Sequence, residues 1–201
     1  ARVFLSLPAK GSAFVVLGKK PYAAFGEQPP KGKMKRIQDL SSGWKLGRFQ
    51  GPAAPKGERN LTRLSSWAED PDESLRFFSG RATYEKTFVW SGAGRVFLDL
   101  GEVREIARVR LNGTDLGVWS FPPFCHDVTS ALVSGENRLE VEVVNNWPNR
   151  LIGDAILRQK GIPEKDLNTW SSYPEAWAAD EPLHPAGLLG PVCLRAKERV
   201  K

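Results

Sequence analysis

The run Ala107-Arg108-Val109-Arg110-Leu111-Asn112-Gly113-Thr114-Asp115-Leu116-Gly117 decides the fold class. Ala107, Val109 and Leu111 alternate with Arg108 and Arg110, the period-two pattern of a strand with one face buried and the other in water. Asn112-Gly113 then supplies the dipeptide favoured in a type I′ hairpin, where both central residues need positive φ. Thr114 to Trp119 returns as the partner strand. Working outward, the pattern recurs. Upstream, Thr83, Glu85 and Thr87 alternate with Ala82, Tyr84, Lys86 and Phe88, and Val96, Leu98 and Leu100 with Phe97 and Asp99. Downstream, Gly135-Glu136-Asn137 makes a turn, and Leu139, Val141 and Val143 face away from Arg138, Glu140 and Glu142. Long helical periodicity is absent. Short strands at this spacing predict an all-β protein, a jelly-roll sandwich.

The sandwich is expected over residues 37–201, with a long ordered loop over 154–186 where prolines, tryptophans and charges show no period. Residues 1–20 hold two apolar-alternating runs, Val3 to Leu7 and Ala13 to Leu17, around Pro8-Ala9-Lys10-Gly11, and read as a β-hairpin remnant of a preceding domain. Residues 21–36, rich in proline, glycine and lysine, read as a linker. The single methionine is Met34 and the chain opens on a strand pattern without a signal segment, so a piece of a longer or processed chain is expected.

Composition narrows the function. The chain of 201 residues has 29 basic and 23 acidic side chains, a net charge of +6, with its basic cluster at Lys31, Lys33, Lys35 and Arg36. No aromatic stands between Phe25 and Trp44 to interleave with that cluster, which argues against nucleic-acid binding. Apolar runs such as Ala13 to Leu17 fall far short of the roughly 20 residues of a membrane-spanning helix. Cys125 and His126 are neighbours and point to opposite faces of a strand, and His184 and Cys193 stand apart, so no zinc site is expected. A Gly-x-Ser-x-Gly elbow for nucleophilic serine chemistry is absent as well.

The segments Ser79 to Phe88, Leu98-Asp99-Leu100-Gly101-Glu102-Val103, Val109 to Gly117, Pro122-Pro123-Phe124, Asp127-Val128-Thr129 and Leu132 to Val141 together resemble the sugar-binding, galactose-binding-like β-sandwich of glycoside hydrolase family 2. Asn146-Trp147-Pro148-Asn149-Arg150-Leu151-Ile152-Gly153-Asp154, followed by Ala186 to Val192, is more similar to the C-terminal sandwich of family 106 α-L-rhamnosidase-like enzymes. The resemblance spans about residues 40–195. It implies an extracellular or periplasmic setting, carbohydrate as a partner and a catalytic domain on another part of the parent chain. It also implies a possible structural calcium, for which no Asp-rich loop names ligands; no other cofactor is expected. A module's likeness does not transfer the parent's activity.

Hydrolysis of a glycosidic bond commonly needs two carboxyl groups, about 5 to 5.5 Å apart for retention or about 6.5 to 9.5 Å for inversion. Asp99, Glu102, Asp154, Glu175, Asp180 and Glu181 are the candidates, and none forms a recognisable pair in sequence. The aromatic population points elsewhere, because a flat indole matches the apolar face of a sugar ring at little entropic cost. Trp119 and Phe124 flank the double-proline loop, and Trp147 with Asn149, Arg150 and Asp154 joins aromatic surface to hydrogen-bonding groups. These six residues are the candidates for carbohydrate binding or for an interdomain contact. Three roles stay open: an inert accessory module of a glycoside hydrolase acting on plant or bacterial glycans, a small stand-alone glycosidase of β-galactosidase type, and a free carbohydrate-binding module.

Overall fold

The computed structural model describes residues 33–163, 167 and 177–197, so the expected hairpin over 1–20 and Glu175 lie outside the described residues. Strands β1 (Met34–Asp39), β2 (Trp44–Gln50) and β3 (Arg59–Leu61) come first. A single 3-10 turn (Trp67–Glu69) and a short helix α1 (Glu73–Arg76) lead into β4 (Arg81–Trp90). Then follow β5 (Phe97–Asp99), β6 (Glu102–Arg104), β7 (Ile106–Leu111), β8 (Thr114–Trp119), β9 (Cys125–Asp127) and β10 (Gly135–Val144). Helix α2 (Pro148–Gln159), β11 (Gly187–Gly190) and β12 (Cys193–Lys197) complete the set. The last residues of the stretch read as a linker are therefore strand, paired with β12.

The strands form a six-stranded antiparallel sheet of order β3-β2-β4-β10-β7-β8 and a four-stranded one of order β1-β12-β5-β9, with β11 and β6 as a small third ladder. This is the all-β sandwich that the alternation predicts. Leu46, Tyr84, Val109 and Val141 of the larger sheet and Leu98 and Leu194 of the smaller are each at most 1% exposed and share one core.

The Asn112-Gly113 turn has φ of +52° and +81°, the left-handed pair that a type I′ hairpin demands. Its asparagine does more than turn. Asn112 Nδ2 donates to Ala131 O (2.9 Å) and to Asn137 Oδ1 (2.8 Å), while Asn112 Oδ1 accepts from Arg138 N (2.9 Å). Asn137 in turn holds Val133 and Gly135 through its own amide. The two turns are thus tied to each other through the side-chain amides of Asn112 and Asn137.

On the outer face of the large sheet Glu85 and Glu140 stand directly opposite, a repulsive placement for like charges. Arg48 and Arg138 each bridge both carboxylates, at 2.5 and 2.9 Å and at 2.9 and 3.3 Å, and close a neutral four-charge ring.

Helix α2 corrects the sequence reading, which began the long loop at Asp154 and saw no helix. Its buried side chains include Asn149, Arg150 and Asp154, so polar residues occupy the face where apolar periodicity would have announced a helix. Pro148 starts it, as proline does at a first helical position.

Candidate functional site

The corner that follows β10 is built by amides. Asn145 Oδ1 accepts from Gly80 N (2.9 Å) and Asn145 Nδ2 donates to Phe78 O (2.9 Å). Ser79 Oγ donates to Asn146 O (2.7 Å), fixing the chain as it enters α2. In the first helical turn Asn149 makes a paired contact with the backbone of one residue: Nδ2 donates to His184 O and Oδ1 accepts from His184 N, both at 2.7 Å. Asn149 is 2% exposed and anchors the chain returning from beyond the helix.

Arg150 follows directly, and its Nη2 lies 3.2 Å from Oδ1 of Asp154, one turn on, with side chains 3% and 1% exposed. Burial pulls the guanidinium below its ordinary pKa, and the charge and hydrogen bond of Asp154 oppose that pull. Its ring neighbour is Phe77, whose centroid is 5.9 Å away. A buried ion pair of this kind costs desolvation that its attraction only partly offsets, and it fixes a packing arrangement. These groups cannot reach a sugar.

Of the six nominated side chains only Trp147, 50% exposed, faces solvent. Trp119 and Phe124 are buried; Trp119 Nε1 donates to Leu116 O (3.2 Å), and its ring packs on His126 with centroids 4.2 Å apart. The structure therefore brings Asn149, Arg150 and Asp154 together on one helix and leaves Trp119 and Phe124 on the β8 and β9 side. They do not make one sugar platform.

The candidate carboxylates are also engaged. Asp99 accepts from Arg195 Nε (2.6 Å) and from Gly101 N (2.9 Å), Glu102 pairs with Arg104 (2.6 Å), and Glu181 accepts from Ala178 N (3.1 Å). Asp180 is exposed. None of these acids, nor Asp154, lines either of the two main surface depressions. Among the described residues no three His, Cys, Asp or Glu side chains gather to hold a metal. No helix among them is long and apolar enough to cross a membrane.

The cysteines are free and buried. In the small sheet Asp99 of β5 is the register partner of both Cys193 and Cys125. One strand thus separates the two thiols, roughly 9.5 Å at ordinary strand spacing, beyond the reach of a disulfide. Burial pushes the Cys125 thiol up to about 12.

Sequence reasoning missed a depression of about 420 Å³ where the start of β2 and the end of β3 meet the middle of β4. Asn60, Thr62, Lys86, Thr87 and Arg138 line it over Trp44. Its residues come from segments some 15 to 50 positions apart, and no local motif marks them. A second depression of about 410 Å³ lies between residues 63–69 and the chain before β11.

No family model matches the chain. A protein of Formosa agariphila named "Putative beta-glucuronidase" is 40% identical over 151 residues, which are 64% of this chain and 13% of that protein. A rhamnosidase from Novosphingobium sp. PP1Y superposes with a TM-score of 0.72 and 34% identity, over 84% of this chain and 16% of its own. A beta-D-glucuronidase of Dictyoglomus thermophilum aligns over 60% of this chain and 22% of its own, with 25% identity and a TM-score of 0.48. The chain spans only a small fraction of the length of the relatives it matches.

Proposed function

We propose that this chain is a non-catalytic accessory module of a larger glycoside hydrolase, similar in kind to the C-terminal sandwich of family 106-like enzymes, with catalysis supplied by another domain. The observation that carries the reading is the state of the acids. Asp99, Glu102 and Asp154 each sit against an arginine, Glu181 caps a backbone amide, and none of them lines a depression. General acid catalysis needs a carboxyl free to meet a substrate oxygen opposite a second one. The extensive likeness to a rhamnosidase over a sixth of that protein supports a modular role.

The purified chain is expected to release no chromophore from a panel of aryl rhamnosides, galactosides and glucuronides. Turnover that co-purifies with the chain and disappears on substituting one of Asp99, Glu102, Glu175, Asp180 or Glu181 by alanine would overturn the reading and make it a stand-alone glycosidase.

A further inference from the structure

The depression between residues 63–69 and the chain around β11 has walls that are joined to each other. Trp67 N donates to Ala186 O at 2.9 Å, and Ser66 Oγ accepts from Ala186 N at 3.1 Å. In β11 the fully buried Leu188 faces the core, so Leu189 turns to the opposite side, where it lines the depression. Leu64 lies against the end of the same strand: a Cβ on Gly190 would sit 3.1 Å from Leu64 Cδ1. With Pro185 these two leucines make an apolar wall.

The polar groups beside that wall have unused capacity. Ser66 is 7% exposed, and its Oγ accepts from both Ala68 N (3.2 Å) and Ala186 N (3.1 Å). A serine hydroxyl has two acceptor lone pairs and one donor, so both acceptor positions are filled while the O–H has no acceptor among the described residues. Arg63 and Glu69 also line the depression, both exposed and opposite in charge, and neither makes an ion pair or a side-chain hydrogen bond among the described residues. Glu69 is the one acid among the described lining residues, so the carboxyl pair that glycoside hydrolysis needs is not found there.

We infer that this depression is a binding subsite for a neutral pyranose residue of a glycan. Each hydroxyl of such a ring both donates and accepts, so a vicinal pair accepts from the Arg63 guanidinium and donates to the Glu69 carboxylate. The Ser66 O–H finds a sugar oxygen, and the C–H face of the ring lies on Leu64, Pro185 and Leu189. A uronate would meet Arg63 but bring its own charge toward Glu69, and an inorganic anion would do the same and leave the apolar wall bare. A zwitterion such as a free amino acid would answer both charges, yet only through exposed ion pairs, which contribute little in water. The volume of about 410 Å³ falls within the range of small-ligand sites, and walls already joined by hydrogen bonds spare part of the ordering cost of binding. The inference rests on the accessory-module reading only for the expectation that glycan is at hand.

The test is a titration of the chain, labelled with ¹⁵N and with ¹³C at its leucine methyls, with the methyl glycosides of D-galactose, D-glucose and L-rhamnose, with sodium D-galacturonate and with L-leucine. At least one neutral glycoside is expected to move the Leu64 and Leu189 methyls and the amides of residues 63–69 and 186–189. That glycoside should bind at least about fivefold more tightly than galacturonate or leucine, the effect of one charge-assisted contact opposed or lost. Glu69→Gln, at an exposed position that does not threaten folding, should weaken it about threefold or more and, by removing the repulsion, bring galacturonate level with it or above. Arg63→Met, also at an exposed position, should weaken the glycoside without raising galacturonate. No response to any of the three glycosides, shifts centred elsewhere, galacturonate or leucine bound as tightly by the unaltered chain, or binding unchanged in both variants would overturn the inference. Such a failure leaves the non-catalytic reading standing, since that reading falls only on measured turnover.

Discussion

His126 shows what burial does to a single titrating group. Its ring stacks on Trp119, and its Nδ1 is buried without a hydrogen-bond partner. Removal from water lowers its pKa from the ordinary 6.5, because the charged imidazolium loses hydration and gains nothing. The unfolded chain then binds the proton more readily than the folded one between the lowered value and about pH 6.5, so stability rises with pH across that window. The neighbouring Asp127 acts in a different range. Burial raises its carboxyl, but hydrogen bonds from Thr129 and Arg95 outweigh this and hold it below 3.8, so its contribution is lost only in stronger acid. Urea midpoints measured from pH 5 to pH 7.5 should climb through the histidine window. His126→Phe, which keeps an aromatic ring on Trp119 without a proton to gain, should flatten that climb. An unchanged slope would show that His126 is not the group whose titration sets the climb. The nominated polar residues follow the same logic of burial. Arginine, asparagine and aspartate beside a tryptophan look like a sugar site in sequence, and only the fold reveals that Asn149, Arg150 and Asp154 are 2%, 2% and 1% exposed.

At the scale of elements, α2 tests how closely the helix is seated on the sandwich. Gly153 lies in its interior, where alanine would ordinarily stabilise a helix by about 1 kcal/mol. Here a Cβ would sit 2.6 Å from Phe77 Cγ, 2.7 Å from Phe77 Cβ and 2.8 Å from Arg150 Nη2. Phe77 is buried and has little room to yield, and overpacking of this kind costs about 1 to 3 kcal/mol. Gly153→Ala is therefore expected to lower the urea midpoint, a net loss of up to about 2 kcal/mol, against the propensity scale. A rise in midpoint would show that the helix stands off from Phe77. The contrast with the strands explains what the sequence made legible. In β7 and β10 every second side chain meets the core and the rest meet water, so hydropathy alone draws the element. In α2 the buried face is carried partly by an ion pair and an amide, and hydropathy is blind to it. Asn112-Gly113 was readable for a third reason, since φ of +52° and +81° restricts the residue types that fit.

The whole molecule coheres through contacts that join layers rather than neighbouring strands. Tyr84 on β4 points into the core, where its hydroxyl accepts from Trp67 Nε1 at 2.6 Å and from Leu188 N on β11 at 3.1 Å. Ser66 Oγ accepts from Ala186 N at 3.1 Å, and Gly187 is required alongside: at φ +98° it would bring a Cβ to 2.6 Å from Trp67 Nε1. The large sheet, the 3-10 turn and the chain entering β11 thus meet at one phenol. Sequence placed Tyr84 in an alternating strand but gave no sign of these partners, which lie 17 and 104 positions away. Tyr84→Phe would keep the ring, including its stacking on Trp67 at 11° between planes, and remove only the shared acceptor. Two buried N–H groups would lose their partner, at roughly 1 to 3 kcal/mol each before relaxation. A drop of about 2 to 4 kcal/mol in unfolding free energy is expected, read from urea curves followed by both far-ultraviolet circular dichroism and tryptophan fluorescence. Because one core spans both sheets, the two curves of the variant should still coincide. Separation of the curves would mean that the β11 segment melts apart from the large sheet and that the phenol is what makes the sandwich a single cooperative unit; an unchanged midpoint would mean that water satisfies the two donors and that apolar packing alone joins the layers.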